Sequence, residues 1–144
     1  MQISSRFTIA VHVLVCIETF KNDYKVTSDF LASSVNVNPV VIRRLLQQLK
    51  KAGLISVKRG SGGTDIEKPL DKLTLLDIYN AVECVEDGEL FHFHESPSEL
   101  CPVGKNIHAL LDTRLEKIQK AMEREMSLIS IQDIMNDAEK MIKQ

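Results

Sequence analysis

The sequence predicts a mainly α fold with a small two- or three-stranded β wing, a winged helix-turn-helix domain followed by a long C-terminal dimerisation helix. Three observations predict it. The stretch Asn38–Gly63, NPVVIRRLLQQLKKAGLISVKRGSGG, reads as a short basic helix, a turn, a strand and a Gly-rich hairpin tip. A second short amphipathic helix precedes it across a tight turn, the helix-turn-helix pattern. Further on, Leu111, Leu115, Ile118, Met122 and Met126 recur at near-heptad steps.

Composition sets the bounds. A chain of 144 residues, 44% apolar, can fill one core. No apolar run reaches the length of a membrane span. The opening MQISSRFTIAVHVLVCIETF resembles a signal peptide only superficially, because Glu18 follows the apolar run and no small-residue cleavage site does. A cytoplasmic protein is expected. The three cysteines, Cys16, Cys84 and Cys101, are odd in number and lack CxxC spacing, which excludes a disulfide framework or structural zinc site. The net charge of −2 hides a division. Residues 25–68 carry a net +5 and residues 69–111 a net −6. A basic block of this kind is the electrostatic footprint of a nucleic-acid site.

In chain order, Ser4 or Ser5 caps a helix over about Arg6–Phe20, with Ile9, Val13, Cys16, Ile17 and Phe20 on its apolar face. Cys16 is read as a small core residue and His12 as a satisfied side chain beside that face. Lys21–Lys25 form a loop. Thr27 or Ser28 caps the next helix, with Phe30, Leu31 and Val35 inward. After the turn VNVNP, Asn38 caps the third helix and Pro39 suits its first turn, where a missing N–H costs nothing. Val41, Ile42, Leu45, Leu46 and Leu49 are its expected buried stripe, and Gly53 its left-handed terminator. Two β-like runs, LISVKR and TDIE, flank the tip Gly60–Gly63.

Thr74 opens a fourth helix, TLLDIYNAVECVE, with Asp77 as capping-box partner and Leu76, Tyr79, Val82 and Val85 as core candidates. An acidic, Pro-containing loop follows. From Val103 the chain is helical for about 25 residues, too long to bury its own seam, so a partner helix is expected. Ser130 and Asp133 start a last amphipathic helix with Ile131, Ile134, Met135, Ala138 and Met141. The domain division is 1–86 for DNA binding, 87–102 for a connecting and sensor loop, and 103–144 for dimerisation and the C-terminal helix.

A helix of this length fits the major groove, where Arg and Gln match base edges. Asn38 and Val40 stand at the end that reaches bases in helix-turn-helix proteins, and Arg43, Arg44 and Gln47 follow on the outer face. Lys50, Lys51 and Lys58 suit phosphates, which position without specifying, and Ser28 and Ser61 are added at the flanking helix start and the wing. Arg59 suits the minor groove. Each basic residue alone reads equally well as part of a solvated face; the combination with a tight helix pair and a Gly-rich basic hairpin reads as a DNA interface.

These residues carry a resemblance. SSRFTIAVHVLV, VNPVVIRRLLQQLKKAGLISVKRGSGG, LTLLDIYNAVE and CPVGKNI resemble the Rrf-two family of winged helix-turn-helix transcription regulators over about residues 3–128. The resemblance implies a homodimeric regulator, expected to be a repressor, on double-stranded DNA with a palindromic operator, joined through the long helix. It also implies that Asn38, Pro39, Val40 and Arg59 touch DNA. Cluster-binding members carry three closely spaced cysteines before the long helix, where this chain has only Cys101. No iron–sulfur cluster is therefore expected, since such clusters want four ligands, mostly Cys.

His92 and His94 alternate with Phe91 and Phe93. With Cys101 they form a conceivable metal site; the expected arrangement instead has the Phe rings tucked in and the His rings facing water. Cys101, at a helix N-terminus, is a possible redox sensor. Two other functions compete. A cysteine-dependent enzyme would pair Cys101 with His92, His94 or His108, but no oxyanion-hole or phosphate-loop signature accompanies them. A protein-interaction module would use the acidic loop or the C-terminal helices without specific DNA binding.

Overall fold

The computed structural model describes residues 3–58, 63–82 and 89–142. Eight elements follow in order: α1 (Arg6–Phe20), α2 (Ser28–Val35), α3 (Pro39–Lys51), β1 (Ile55–Val57), β2 (Thr64–Ile66), α4 (Leu75–Ala81), α5 (Pro102–Ser127) and α6 (Ile131–Ile142). The fold is mainly α with one two-stranded antiparallel sheet.

Helix α1 is the centre of the packing, in contact with α2, β2, α4 and α6. It is apolar nearly all round, as a helix covered on several sides must be. Ala10, Val13, Leu14, Cys16 and Ile17 are buried, while Ile9 and Phe20 pack at the margin. Ser5 occupies the cap position without a side-chain bond; the hydroxyl of Ser4 instead accepts from the Arg6 amide at 3.2 Å. Cys16 is a buried core residue as expected. Its Sγ lies 3.2 Å from Ser34 Oγ, which also meets His12 Nε2 at 3.0 Å, so a short polar chain fastens α1 to α2.

Thr27, not Ser28, caps α2, its hydroxyl accepting from Phe30 N at 3.2 Å. Asn36 ends the helix at φ 62°, a left-handed cap that Asn tolerates. Asn38 Oδ1 accepts from Val40 N at 2.8 Å and starts α3 with Pro39 in its first turn. The buried stripe is Ile42, Leu45, Leu46 and Leu49. Each such side chain contributes about 1.5–3 kcal/mol by leaving water. Val41, expected in that stripe, is 38% exposed. It sits at the stripe's edge, and the adjacent Ile42 takes the inward direction. Gly53, at φ 78°, closes a Schellman turn: Leu54 N donates to Leu49 O at 3.0 Å and Gly53 N to Lys50 O at 2.9 Å.

The sheet pairs Ile55 with Ile66, Ser56 with Asp65 and Val57 with Thr64. Leu54 and Ile55 root it in the core. Bonds from Glu67 N to Leu54 O and from Lys58 N to Gly63 O extend it at both ends. The tip Arg59–Gly62 lies outside the described residues, as do Cys84 and Val85.

Two capping boxes then sit face to face. Thr74 and Asp77 exchange side-chain and backbone bonds at the start of α4, and Ser130 and Asp133 do the same at the start of α6. An antiparallel bridge joins Thr74 to Ser130, flanked by Leu75 N to Ile129 O and Ile131 N to Leu73 O. Leu73, Ile78, Tyr79 and Val82 are buried here, with Leu76 only half-buried. Ile131 is fully buried and Met135 nearly so, while Met141 is 75% exposed and takes no part in the core.

Candidate nucleic-acid interface

The outer face of α3 carries Val40, Arg43, Arg44, Gln47, Lys50 and Lys51, all exposed. Pro39 is half-buried, and the side chain of Asn38 is occupied by its cap bond to Val40 N. A cleft of about 370 Å³ runs between this face, the start of α2 and the wing strands. It brings Ser28, Arg43, Gln47, Lys50 and Lys58 together, and none of the described lining residues is acidic. Arg44 and Lys51 are not in that lining. Sequence reasoning missed Thr27 and Thr64 as cleft residues; Thr27 was legible as a cap, but not as a neighbour of the wing. Arg59 and Ser61 lie outside the described residues.

The wing reaches this position through Gly63. Its φ is 77°, and a Cβ there would stand 3.2 Å from Val26 N. Only glycine lets β2 come so close to the backbone before α2. Lys58 pairs across the sheet with Asp65 at 3.5 Å, both side chains well exposed. Such a surface pair is worth about 0–1 kcal/mol.

The segment before α5 is arranged as the alternation suggests. Phe91 and Phe93 are half-buried, and His92 and His94 are exposed. Phe93 stacks on His108 with ring centroids 4.2 Å apart, and His94 meets the same ring edge-on at 6.2 Å. Leu90 N donates to Gln119 Oε1 at 3.0 Å and ties the segment to α5. Between the two lies a space of about 480 Å³ lined by Glu89, Phe91, Phe93 and one face of α5.

Cys101 is exposed at the N-terminus of α5. The amides of Gly104 and Val103 there hold its thiol below the ordinary value. Among the described residues no three His, Cys, Asp or Glu side chains converge on a point that could hold a metal ion. Cys101 therefore does not join His92 and His94 in one donor set. The other described cysteine, Cys16, is buried in α1. The described donors do not fit an iron–sulfur cluster, which takes four ligands, mostly thiolates.

Helix α5 is 26 residues long and has no buried residue. Leu111, Leu115, Met122 and Met126 are half-buried, and Ile118 is 52% exposed. Met122 and Met126 pack against the core of their own chain. No helix among the described residues is long and apolar enough to cross a membrane.

The family model for Rrf2, described as an iron-dependent transcriptional regulator, matches residues 3–137. The "Putative HTH-type transcriptional regulator YwnA" of Bacillus subtilis (strain 168) is similar at 42% identity over 134 residues, 93% of this chain and 97% of its own. A solved structure described as "a putative DNA binding protein" shares 37% identity, with TM-score 0.73 over 91% of this chain and 99% of that one. T. potens IscR has the same fold, with TM-score 0.70 at 20% identity, covering 97% of this chain and 90% of its own.

Proposed function

The chain belongs to the Rrf2 family of DNA-binding transcriptional regulators and is not an enzyme, and on that premise we propose how it reads DNA and how it is controlled. Helix α3 enters the major groove, with Arg43 and Gln47 at base edges and Val40 and Arg44 beside them. Lys50, Lys51, Lys58 and Ser28 hold phosphates, Asn38 and Pro39 set the helix start against the groove floor, and the wing with Arg59 and Ser61 lies along the minor groove. The observation that carries this reading is the cleft in which Arg43, Gln47, Lys50 and Lys58 meet without an acidic neighbour in the described lining.

Two copies pair through the α5 seam and place two α3 helices about one DNA turn apart, on a palindromic operator. The outcome is repression in the cytoplasm, where the DNA lies. The control segment is 87–102. No iron–sulfur cluster or other metal takes part; the exposed thiol of Cys101, favoured as thiolate by the α5 amides, is the oxidant-responsive group.

Genomic selection of bound fragments supplies the operator, and titration of that operator tests the reading. Arg43→Ala is expected to weaken specific binding by about 1–3 kcal/mol and relax base preference. Lys50→Ala is expected to weaken all sequences alike and lower the salt slope by about 0.9. Wild-type affinity in both variants would remove the proposed surface. In the same titration, oxidant should release wild type and spare Cys101→Ser; equal responses would take the thiol out of the switch.

A further inference from the structure

Two cations of the basic block, Lys25 and Lys68, have no part in that interface. Lys68 lies two residues beyond β2 and one beyond the last sheet bond, Glu67 N to Leu54 O. Its Nζ lies 2.8 Å from Asp77 Oδ2. That same carboxylate oxygen accepts from Thr74 N at 3.0 Å, within the capping box of α4. The pair is partly sheltered, with side-chain exposures of 36% and 30% for Lys68 and Asp77. It faces a shallow cleft of about 310 Å³ that also takes in Ala52, Gly53 and Leu54, the turn that ends α3. The turn that ends α3, the segment after β2 and the start of α4 therefore line one cleft, with the ion pair in its wall.

Lys58 makes a contrast within the same wing. Its partner Asp65 is 3.5 Å away, and the two side chains are 65% and 44% exposed. That lysine can leave its partner for a phosphate. Lys68 is shorter in contact, more sheltered, and its carboxylate is held by a backbone amide as well, so the pair acts as a fixed joint.

We propose that Lys68 is a positioning residue for DNA binding: by fastening the foot of β2 to the α4 capping box, it sets the wing's angle against α3 without itself touching DNA. This rests on the α3–wing reading above. The wing is rooted by Leu54 and Ile55 at β1 and by the packing of β2 on α1. With the joint released, the foot of β2 keeps its packing on α1 but loses its tie to α4, and the cleft that gathers Arg43, Lys50 and Lys58 widens.

The test is operator titration across a salt series with full-length wild type, Lys68→Met, Lys68→Arg, Asp77→Asn, the Lys68→Met/Asp77→Asn double variant, and Arg43→Ala. Lys68→Met and Asp77→Asn should each weaken binding about fivefold, the upper range for one partly exposed pair. The double variant should bind no more weakly than the weaker single one, as expected of two residues acting as a unit. Lys68→Arg should restore affinity, and the salt slope should stay at the wild-type value throughout. A slope lowered by about 0.9 in Lys68→Met would make the lysine a phosphate contact and overturn the proposal. So would additive losses, or unchanged affinity in Lys68→Met. Should Asp77→Asn fail to fold, the Met and Arg replacements at Lys68 still decide. Wild-type affinity in Arg43→Ala marks failure of the underlying surface; loss there with none in Lys68→Met marks failure of the joint alone.

Discussion

Gly53 and Gly63 hold almost the same backbone angle, φ 78° and 77°, but for different reasons. A Cβ on Gly53 would meet nothing within 4 Å, so the residue answers only to conformation. Gly53→Ala should cost about 1–2 kcal/mol, the penalty for an L-residue in the left-handed region. Gly63→Ala carries that penalty and a contact at 3.2 Å with Val26 N, a backbone atom that cannot step aside alone. It should cost more in a urea unfolding curve and should also lower operator affinity, because the wing is displaced. Equal unfolding midpoints for the two variants would show that the Val26 contact is relieved without cost. The position of Gly53 is readable from sequence, since a glycine after a basic amphipathic run is a helix stop. The demand at Gly63 is not, because it comes from a backbone 37 positions away in the chain.

At the scale of elements, the helix starts are the most legible feature. Thr74–Asp77, Ser130–Asp133 and Asn38–Pro39 are short-range patterns whose chemistry is complete within one turn, and each forms as read. What joins them is not local. The Thr74–Ser130 bridge and the Lys68–Asp77 pair depend on how the chain returns, and no spacing rule announces them. Helix α1 is a second limit: it is apolar nearly all round, so periodicity could not tell that Leu14 is buried and Ile9 marginal. The α4 box carries a pH prediction. Burial pushes the Asp77 carboxyl up, but the Lys68 ammonium and the Thr74 amide outweigh it, and its pKa falls below the ordinary value of 3.8. The folded chain thus binds this proton less tightly than the unfolded chain. Its stabilisation is complete above the ordinary value and is lost as pH drops through the folded one. The stability difference between wild type and Asp77→Asn should be constant near neutrality and shrink below about pH 4. A difference that persists unchanged to lower pH would show that the charge is not what stabilises the box.

At the scale of the molecule, α5 has no residue buried by its own chain along 26 positions, yet it carries an apolar seam. The seam was legible in the heptad steps; that Met122 and Met126 already lean on the core was not. With the proposed second copy, Ile118 would lie in the middle of the interface. Ile118→Glu should convert a dimer to a monomer in sedimentation velocity and weaken operator binding steeply, since each half-site then binds alone. A wild-type chain that sediments as a monomer at micromolar concentration would end the half-site spacing argument. The bonds between residues 73–75 and 129–131 give α5 a mechanical character as well. At about 1.5 Å per residue, 26 residues make an arm of roughly 39 Å. Its fulcrum is the double capping box, and Cys101 lies at its far end. A shift of about 3 Å at that end turns the arm by only about 4° at the fulcrum, on the same rise per residue. Displacement along the arm grows with distance from the fulcrum, so a companion chain seated about Ile118, about 14 Å out, would move about 1 Å while the DNA-binding core barely registers the turn.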